Sequence, residues 1–238
     1  MAGMVAKGAG NLIPELLNLA SILIVLGGTF GALLVAYSFS DYMGSFKAIK
    51  TFLKASDNNP TEIMEQIIDL AQVARKESIL ALEKKRDSIT FPPLRNAVKM
   101  AVDGTDPAIL ADTLETAAAH EKEEAEVSVH FWEDFGAISP TIGILGAVIG
   151  LMKVMTVLDQ PEKIGPGIAV AFIATIYGVG AANIFGIPMA KKLKRKAILR
   201  SYLYEMVVIG IDGILSGLNP KIIEEKLKIF TGHHEDDE

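Results

Sequence analysis

Cysteine is absent from the 238-residue sequence. This absence excludes disulfide frameworks, thiolate zinc sites, iron–sulfur clusters and cysteine nucleophiles, and it leaves the cellular compartment open. Basic residues are fewer than acidic ones, 23 against 29, so the chain lacks the overall basic character that favours nucleic acid as a partner. A nucleophile elbow, a Walker loop and a zinc motif are also missing from the sequence. We therefore expect neither an enzyme nor a bound cofactor or metal ion.

Charge is missing from three long segments as well. Half of the residues are apolar and the mean hydropathy is +0.34, although charged residues make up an ordinary 22%. The charge-free segments are 16–40, with 25 residues, 135–152, with 18, and 164–190, with 27. A bilayer core about 30 Å thick is crossed by roughly 20 apolar residues in an α-helix. The pattern predicts membrane-spanning helices over 16–40, 135–158 and 164–190, the second continuing past Lys153, whose long side chain can reach the headgroups.

Basic residues are concentrated after the third predicted span. They are Lys191, Lys192, Lys194, Arg195, Lys196 and Arg200. Because lysine and arginine favour the cytoplasmic side of a membrane, this end is expected inside the cell. The hairpin at 159–163 is then outside, while 41–134 and 191–238, a basic helix with an acidic tail, are cytoplasmic. The N-terminal segment 1–15 would lie outside, either as the start of a three-span protein or as the remnant of a missing first span.

The long segment 41–134 has helical patterning throughout. A capping motif at 59–62 (Asn-Pro-Thr-Glu) predicts the start of a helix. Apolar residues then recur at three- and four-residue intervals: Ile63, Ile67, Leu70, Ala71 and Ala74. Phe91 and two prolines interrupt the pattern, and a turn at 103–107 precedes a helix over 108–132 that can continue directly into the second span. Strand-like alternation is absent, so we expect an all-α fold, with membrane helices joined to a helical cytoplasmic domain.

Two groups of residues have the spacing of a specific site but also an ordinary explanation. His120 and Glu124 lie one helical turn apart, as metal ligands do, yet a solvated charged face is the favoured interpretation. Two glycine pairs within the spans have GxxxG spacing. They are Gly27 with Gly31 and Gly146 with Gly150. Such glycines either face lipid or allow close helix contact within or between subunits, and we favour close contact.

Ionisable side chains are the informative absence within the spans. None of the three charge-free segments contains Asp, Glu, His or Arg. Proton and cation relays through a bilayer normally need such a carrier, so a partner would supply the carboxylate if this chain handles ions. Polar residues in these segments include Ser21, Thr29, Ser139, Thr141, Thr175, Tyr177 and Asn183. They can line a hydrated path or satisfy backbone groups near Pro140 and Pro188, and the residues alone favour the second interpretation.

Five segments carry a resemblance to one family. Residues 74–83 (Ala-Arg-Lys-Glu-Ser-Ile-Leu-Ala-Leu-Glu) resemble the rotor-facing segment of the MotA/PomA flagellar stator subunits, members of the MotA/TolQ/ExbB superfamily. Residues 19–28 (Leu-Ala-Ser-Ile-Leu-Ile-Val-Leu-Gly-Gly) resemble the second span of that family, and 139–146 (Ser-Pro-Thr-Ile-Gly-Ile-Leu-Gly) resemble its third. Residues 164–178 and 185–191 resemble its fourth span, in the same order and spacing.

This resemblance extends over about residues 12–230 and implies a role in motility. Subunits of this family form a ring of five around two copies of a single-span partner, MotB, whose membrane aspartate binds H⁺ or Na⁺. MotB also anchors the complex to peptidoglycan. In the bacterial inner membrane the complex converts inward ion flow into rotation through the rotor protein FliG. A partner that brings the aspartate agrees with the missing carboxylate in this chain.

The resemblance also implies roles for individual residues. Arg75 and Glu83 correspond by position to the charged pair that contacts FliG, with Lys76 in support. Eight residues apart on one helix, they would lie on roughly one side, offset by about 80°. Pro140 and Pro188 correspond to the two prolines that couple ion movement to conformational change.

The ion path is implied in the same way. Thr175 corresponds to the hydroxyl close to the aspartate of the partner, and we place Thr141 on the same path. Ala147 occupies a position where sodium-type relatives carry threonine, which favours protons. Asn18 replaces an acidic residue of some sodium-type members, and the choice between H⁺ and Na⁺ stays open.

The sequence departs from the family in two respects. Lys84 and Arg86 stand where some relatives carry acidic residues, so the charge pattern that faces the rotor is not fixed by the resemblance. The family has four spans and three are predicted here, so that 1–11 would correspond only to the trailing end of a first span. The related ExbB/TolQ proteins, which energise outer-membrane processes, have three spans and are the alternative, together with a ring-forming membrane scaffold that transports nothing.

Overall fold

The structure, a computed structural model, describes residues 17–53 and 59–231, and these residues form helices, turns and no strand. Three of its helices are long and apolar enough to cross a membrane: Leu19–Ala36, Pro107–Met155 and Pro161–Leu215. The all-α membrane fold predicted from the sequence is confirmed. The segment 1–15 and the acidic tail lie outside the described residues.

Consecutive helices account for most of the described chain. They are α1 (Leu19–Ile22), a π-helical turn π1 (Leu23–Gly27), α2 (Gly28–Ala36), α3 (Phe39–Leu53), α4 (Pro60–Lys76), a 3₁₀ helix (Ile79–Ser88), α5 (Pro92–Val102), α6 (Pro107–Met155), α7 (Pro161–Gly180), a second π-helical turn π2 (Ala181–Gly186), α8 (Ile187–Leu215) and α9 (Pro220–Thr231). The backbone at the ends of both π turns keeps right-handed helical angles, so each turn joins its neighbours into one helical path.

The chain divides into two compact units. Met1–Phe52 and Val127–Leu193 form the first, which contains the three spans and is called the membrane unit below. Leu53–Glu126 and Lys194–Glu238 form the second unit.

The first span is shorter than its charge-free segment. The helix ends at Ala36 because Tyr37 has extended backbone angles, φ −117° and ψ 148°. Ser38 then starts α3, since its Oγ accepts a hydrogen bond from the Asp41 backbone N–H at 3.2 Å and donates to the Asp41 carboxylate at 2.7 Å. Ser38 thus acts as the N-cap of α3, a residue type that favours this position.

The helix that was expected from 108 to 132 does continue into the second span. Asp106 accepts the Ala108 backbone N–H at 2.9 Å, and α6 then runs unbroken over 49 residues to Met155. A short turn over 156–160 separates Met155 from Pro161, where α7 begins. The two spans form a hairpin, but its turn lies three residues earlier than the predicted 159–163.

The second unit is built around one apolar core. Ile63, Ile67, Leu70 and Ala71 of α4 are buried, as their spacing predicts, and Ala74 is partly buried beside them. They pack with the following buried residues: Leu82, Ile89, Phe91, Leu94, Ala97, Val98, Ala101, Leu110, Leu114, Leu203, Tyr204, Met206, Val207, Ile211, Ile214, Ile223 and Leu227. Each fully buried aliphatic side chain contributes about 1.5–3 kcal/mol to the stability of this unit.

Local signals set the helix ends of the second unit. The Asn59 side chain accepts the Thr61 backbone N–H at 3.0 Å and Pro60 occupies the first turn of α4, so the predicted cap is confirmed. At the other end of the unit, Gly217 has φ +67°. The Leu218 N–H then bonds back to the Gly213 carbonyl at 2.9 Å, the C-terminal motif that favours glycine at its left-handed position.

Candidate functional site

Glycines of α6 bring its backbone into direct contact with α7. A methyl group on Gly178 would lie 2.6 Å from the Ser139 carbonyl oxygen and 2.9 Å from the Gly143 Cα. A methyl on Gly150 would lie 3.2 Å from the Ala171 Cα. At these distances a larger side chain does not fit between the backbones, so the second and third spans pack as an antiparallel pair through small residues.

One GxxxG pair takes part in this contact and the other does not. A methyl on Gly146 would meet the Ala174 Cβ at 3.0 Å, and Gly150 lies against α7 as above, so both glycines of this pair face α7 within the subunit. Gly27 and Gly31 are exposed, and no atom of the described chain lies within 4 Å of a methyl built on either. Their close-contact interpretation therefore stays a prediction about packing outside this chain.

Buried hydroxyls in the spans are bound to backbone carbonyls. Ser139 is fully buried and its Oγ donates to the Gly178 carbonyl at 3.2 Å. Ser21 donates to the Val170 carbonyl at 3.2 Å, which ties the first span to the third. Thr29 donates to a carbonyl in its own helix, that of Val25, at 2.6 Å. These hydroxyls therefore bind backbone carbonyls, as predicted, but not the carbonyls next to Pro140 and Pro188 in the sequence. The acceptors of Ser21 and Ser139 are Val170 and Gly178, both in α7.

The two threonines assigned to the ion path are held less firmly. Thr175 is half-buried, and its Oγ1 donates to the Ala171 carbonyl at 3.4 Å. Thr141 is exposed, and its Oγ1 donates to the Ala137 carbonyl at 3.5 Å. Both bonds are at the long end of the hydrogen-bond range, so little free energy is lost when either hydroxyl turns to another acceptor. Ala147 is half-buried and follows Gly146 in the helix contact.

The two prolines flank the same helix contact. Pro140 lies inside α6, half-buried, with its Cα 3.2 Å from where a methyl on Gly178 would be. Pro188 is exposed and is the second residue of α8, directly after π2. Because proline has no N–H, each one leaves the carbonyl four residues earlier without its usual helical donor and allows the helix to bend.

The π-helical turns are features that the sequence interpretation missed. In π2, which lies between Thr175 and Pro188, the Ile187 N–H bonds to the Ala182 carbonyl five residues earlier. Each turn ends at a glycine, Gly27 or Gly186, and this is a weak signal that many helical glycines share. Such turns are rare in proteins and are frequent at functional sites.

The charged segment 75–88 does not form one helix with α4. The α-helix ends at Lys76, and Ser78 has extended backbone before the 3₁₀ helix begins. The chain then runs back along α4, as the ion pair between Lys85 Nζ and Asp69 at 3.0 Å shows. The prediction that Arg75 and Glu83 share one helix is therefore wrong.

The reversal has a physical reason in the core of the second unit. A straight helix over 60–88 would be about 43 Å long and would carry the following residues away from the start of α4. In the structure Leu82, Ile89 and Phe91 are buried in the same core as Ile63 and Ile67. Burial of three more large apolar side chains favours the reversed path over a longer helix.

Charges in this segment point outwards on the second unit. Arg75 and Lys76 are exposed in the last turn of α4, where cations interact favourably with the helix dipole. Glu83 is exposed and pairs with Arg86 at 2.6 Å, while Lys84 is exposed beside it. Within the described residues no contact joins Arg75 to Glu83, so the structure places both on the surface without bringing them together.

A partly buried polar group in the second unit was also missed from the sequence. Glu121 of α6 pairs with Arg200 of α8 and accepts a hydrogen bond from the Tyr204 hydroxyl at 2.7 Å. The Arg200 guanidinium also lies over the Phe91 ring, 5.8 Å from its centre. Burial and the bond to Glu121 raise the pKa of Tyr204 to about 12. This group joins the two long helices within the unit, and only the fold brings its members together.

The predicted solvated face around His120 is confirmed. His120 Nε2 lies 3.5 Å from Glu124, with both side chains more than two-thirds exposed. Within the described residues no group of three metal-binding side chains occurs.

Comparisons with known proteins agree with this architecture. The profile of the MotA/TolQ/ExbB proton channel family matches residues 84–206. Motility protein A of Aquifex aeolicus is 33% identical over 225 residues, which cover 94% of this chain and 89% of that protein. A solved structure of C. jejuni MotAB matches with a TM-score of 0.89 at 29% identity, over 99% of this chain and 94% of that one. The flagellar MotAB stator complex from Bacillus subtilis matches with a TM-score of 0.84 at 30% identity, over 91% and 85%. The chain therefore belongs to the MotA/TolQ/ExbB proton channel family and, within it, to the motility protein A subunits of the flagellar stator.

Proposed function

We propose that this subunit forms a pentameric ring around a MotB-like, single-span partner in the bacterial inner membrane, and that the ring couples inward H⁺ or Na⁺ flow to rotation of the flagellar rotor through FliG. The observation that carries the proposal is that the spans lack Asp, Glu, His and Arg, while their buried serines are bound to backbone carbonyls. A proton or cation carrier must then come from a partner in the membrane.

Thr175 and Pro140 lie where this chain can respond to the aspartate of the partner. The hydroxyl of Thr175 has only a long hydrogen bond to its own helix. It can therefore donate a hydrogen bond to the carboxylate of the partner, or accept one from that group once it is protonated. Pro140 weakens α6 at the level of its contact with Gly178. Thr141, Ala147 and Pro188 complete the proposed path and coupling elements.

The energy available fits a change of packing and not a loss of fold. One charge that crosses 100 mV releases about 2.3 kcal/mol. That amount shifts the balance between two packed arrangements of helices but is small beside the core of either unit. The ring would then step around the partner each time an ion binds and leaves.

Contact with FliG is proposed for the exposed charges of the 75–88 segment. Arg75, Lys76 and Glu83 all face solvent in the second unit. Exposed ion pairs contribute about 1 kcal/mol or less each, which suits contacts that form and break at every step. In this proposal the second unit transfers motion to the rotor, and the membrane unit responds to the ion.

The ion step is tested with Thr175→Ala and Thr175→Ser in cells that also express the partner. We expect Thr175→Ala to reduce ion flux and swimming at an unchanged level of assembled complex, and Thr175→Ser, which keeps the hydroxyl, to restore both. Thr156→Ala is the matched control, because Thr156 bonds to the Lys153 carbonyl in the turn after α6 and lies outside the proposed path. Flux and swimming that are equal in Thr175→Ala and the control would contradict the proposed role.

A further inference from the structure

A cluster of aromatic rings lies where the first span ends and the second begins. Tyr37, just after the first span, donates its hydroxyl to Asp134 at 2.7 Å. The rings of the cluster are those of Phe30, Tyr37, Tyr42, Phe46, Phe131, Trp132, Phe135 and Phe185. We refer to them as the aromatic cluster. Tyrosine and tryptophan are enriched at the level of lipid headgroups, so the cluster marks a membrane interface.

The third span meets the same interface at its basic end. Gly186 packs against Gly136, with a methyl built on Gly186 3.2 Å from the Gly136 Cα, and the Phe185 ring lies 5.4 Å from that of Trp132. Met189 and Ala190 are buried in the same core. The run of lysines and arginine that begins at 191 follows directly, so the aromatic cluster marks the cytoplasmic leaflet by the charge rule.

Helix α3 is fixed against this cluster by one face. The Tyr42 ring lies 5.3 Å from that of Phe131, and the Phe46 ring lies 5.7 Å from that of Trp132. The Trp132 indole N–H donates to the Ser45 carbonyl at 3.3 Å. These contacts hold the first two turns of α3 against the aromatic cluster, at the level assigned to the headgroups.

A neighbouring face of α3 is uncovered and combines apolar and basic side chains. Phe39 is 72% exposed and Met43 is 38% exposed. Lys47, one turn further on, is also exposed. The acidic residue of α3, Asp41, lies on another side of the helix and is bonded to Ser38. Within the described residues the uncovered face therefore carries no acidic residue. We call Phe39, Met43 and Lys47 the outer face of α3.

We propose that the outer face of α3 binds anionic phospholipid in the cytoplasmic leaflet. Phe39 and Met43 enter the boundary between headgroups and acyl chains, and the ammonium group of Lys47 meets lipid phosphate. An amphipathic helix with lysine and aromatic residues, lying in the interface plane, has this mode of binding. The continuity of the helix with a span, the headgroup level of the cluster and the positive charge of the face favour lipid over a second copy of the chain as the occupant.

The missing cysteines allow a direct test on the full chain. Met43→Cys, or Ser40→Cys beside the same face, carries one bimane label after reconstitution into vesicles. Quenching is measured with spin-labelled phosphatidylglycerol and, separately, with spin-labelled phosphatidylcholine. A label at Val35→Cys serves as the lipid-exposed reference, since Val35 is 90% exposed in the first span.

We expect the label on α3 to be quenched by both lipids and more strongly by phosphatidylglycerol. Lys47→Glu should lower this preference about fivefold or more, because one basic residue near an anionic surface is worth about 1 kcal/mol, whereas Lys47→Arg should keep it. Strong quenching with no preference, or a preference unchanged by Lys47→Glu, would overturn the assignment to anionic lipid. A label that neither lipid quenches, or a single-cysteine variant that forms a disulfide-linked dimer, would overturn lipid as the occupant.

Discussion

The contact between the second and third spans predicts that Gly178→Ala destabilises the membrane unit strongly. The added methyl would lie 2.6 Å from the Ser139 carbonyl oxygen and 2.9 Å from the Gly143 Cα. Ordinary carbon contacts are about 3.5–4.0 Å, so the helices must separate by roughly 0.5–1 Å. Such separation also lengthens the 3.2 Å bond from Ser139 to Gly178 beyond hydrogen-bond range.

The two losses can be added to an expected magnitude. Overpacking of a tight contact costs about 1–3 kcal/mol. A hydrogen bond between membrane helices is worth about 0.6 kcal/mol on average and up to about 1.7. We therefore expect Gly178→Ala to lower the free energy of unfolding by roughly 2–4 kcal/mol.

The assay is unfolding of the purified chain in mixed micelles by SDS titration, followed by far-ultraviolet circular dichroism. Gly180→Ala is the matched control, since it adds the same methyl to the same helix and no atom of the described chain lies within 4 Å of it. Equal unfolding midpoints for the two variants would refute the backbone contact between the spans.

The remaining predictions concern the second unit. Charge reversal at Arg75 and Glu83 should abolish spreading in soft agar. The level of membrane complex should stay normal, because only exposed side chains change. The control is Lys99→Glu, which reverses an exposed charge elsewhere on the unit and should spread normally. Unchanged spreading of the reversed variants would exclude their rotor role. Because the Tyr204 pKa is raised from its ordinary 10 to about 12, its stabilisation is complete below pH 10 and is lost as the pH rises towards 12. Unfolding midpoints measured across this range should fall less steeply for Tyr204→Phe than for the exposed Tyr202→Phe, and equal slopes would contradict the bond to Glu121.

Much of the fold could be predicted from local signals. Capping residues predict the helix start at Asn59, and turn residues predict the turn after 102. The helical periodicity of apolar residues predicts that α6 continues into the second span. Each of these signals acts over a few residues. The candidate site was predicted less completely. The hydroxyls in the spans were expected to bond to backbone, but their acceptors Val170 and Gly178 lie 149 and 39 residues away, and no local pattern encodes such pairs.

The sequence by itself determined where the membrane helices lie, which end is basic and which segments are helical, because burial in lipid and helix periodicity act on each segment independently of the rest. Only the tertiary structure decided that the chain reverses after Lys76, which glycine pair packs inside the subunit, and that Glu121 meets Arg200 and Tyr204. These outcomes depend on which surfaces compete for one core, and the competing surfaces come from distant parts of the chain. A residue pattern carries the preference of a segment, whereas the choice among partners is made by packing all segments at once.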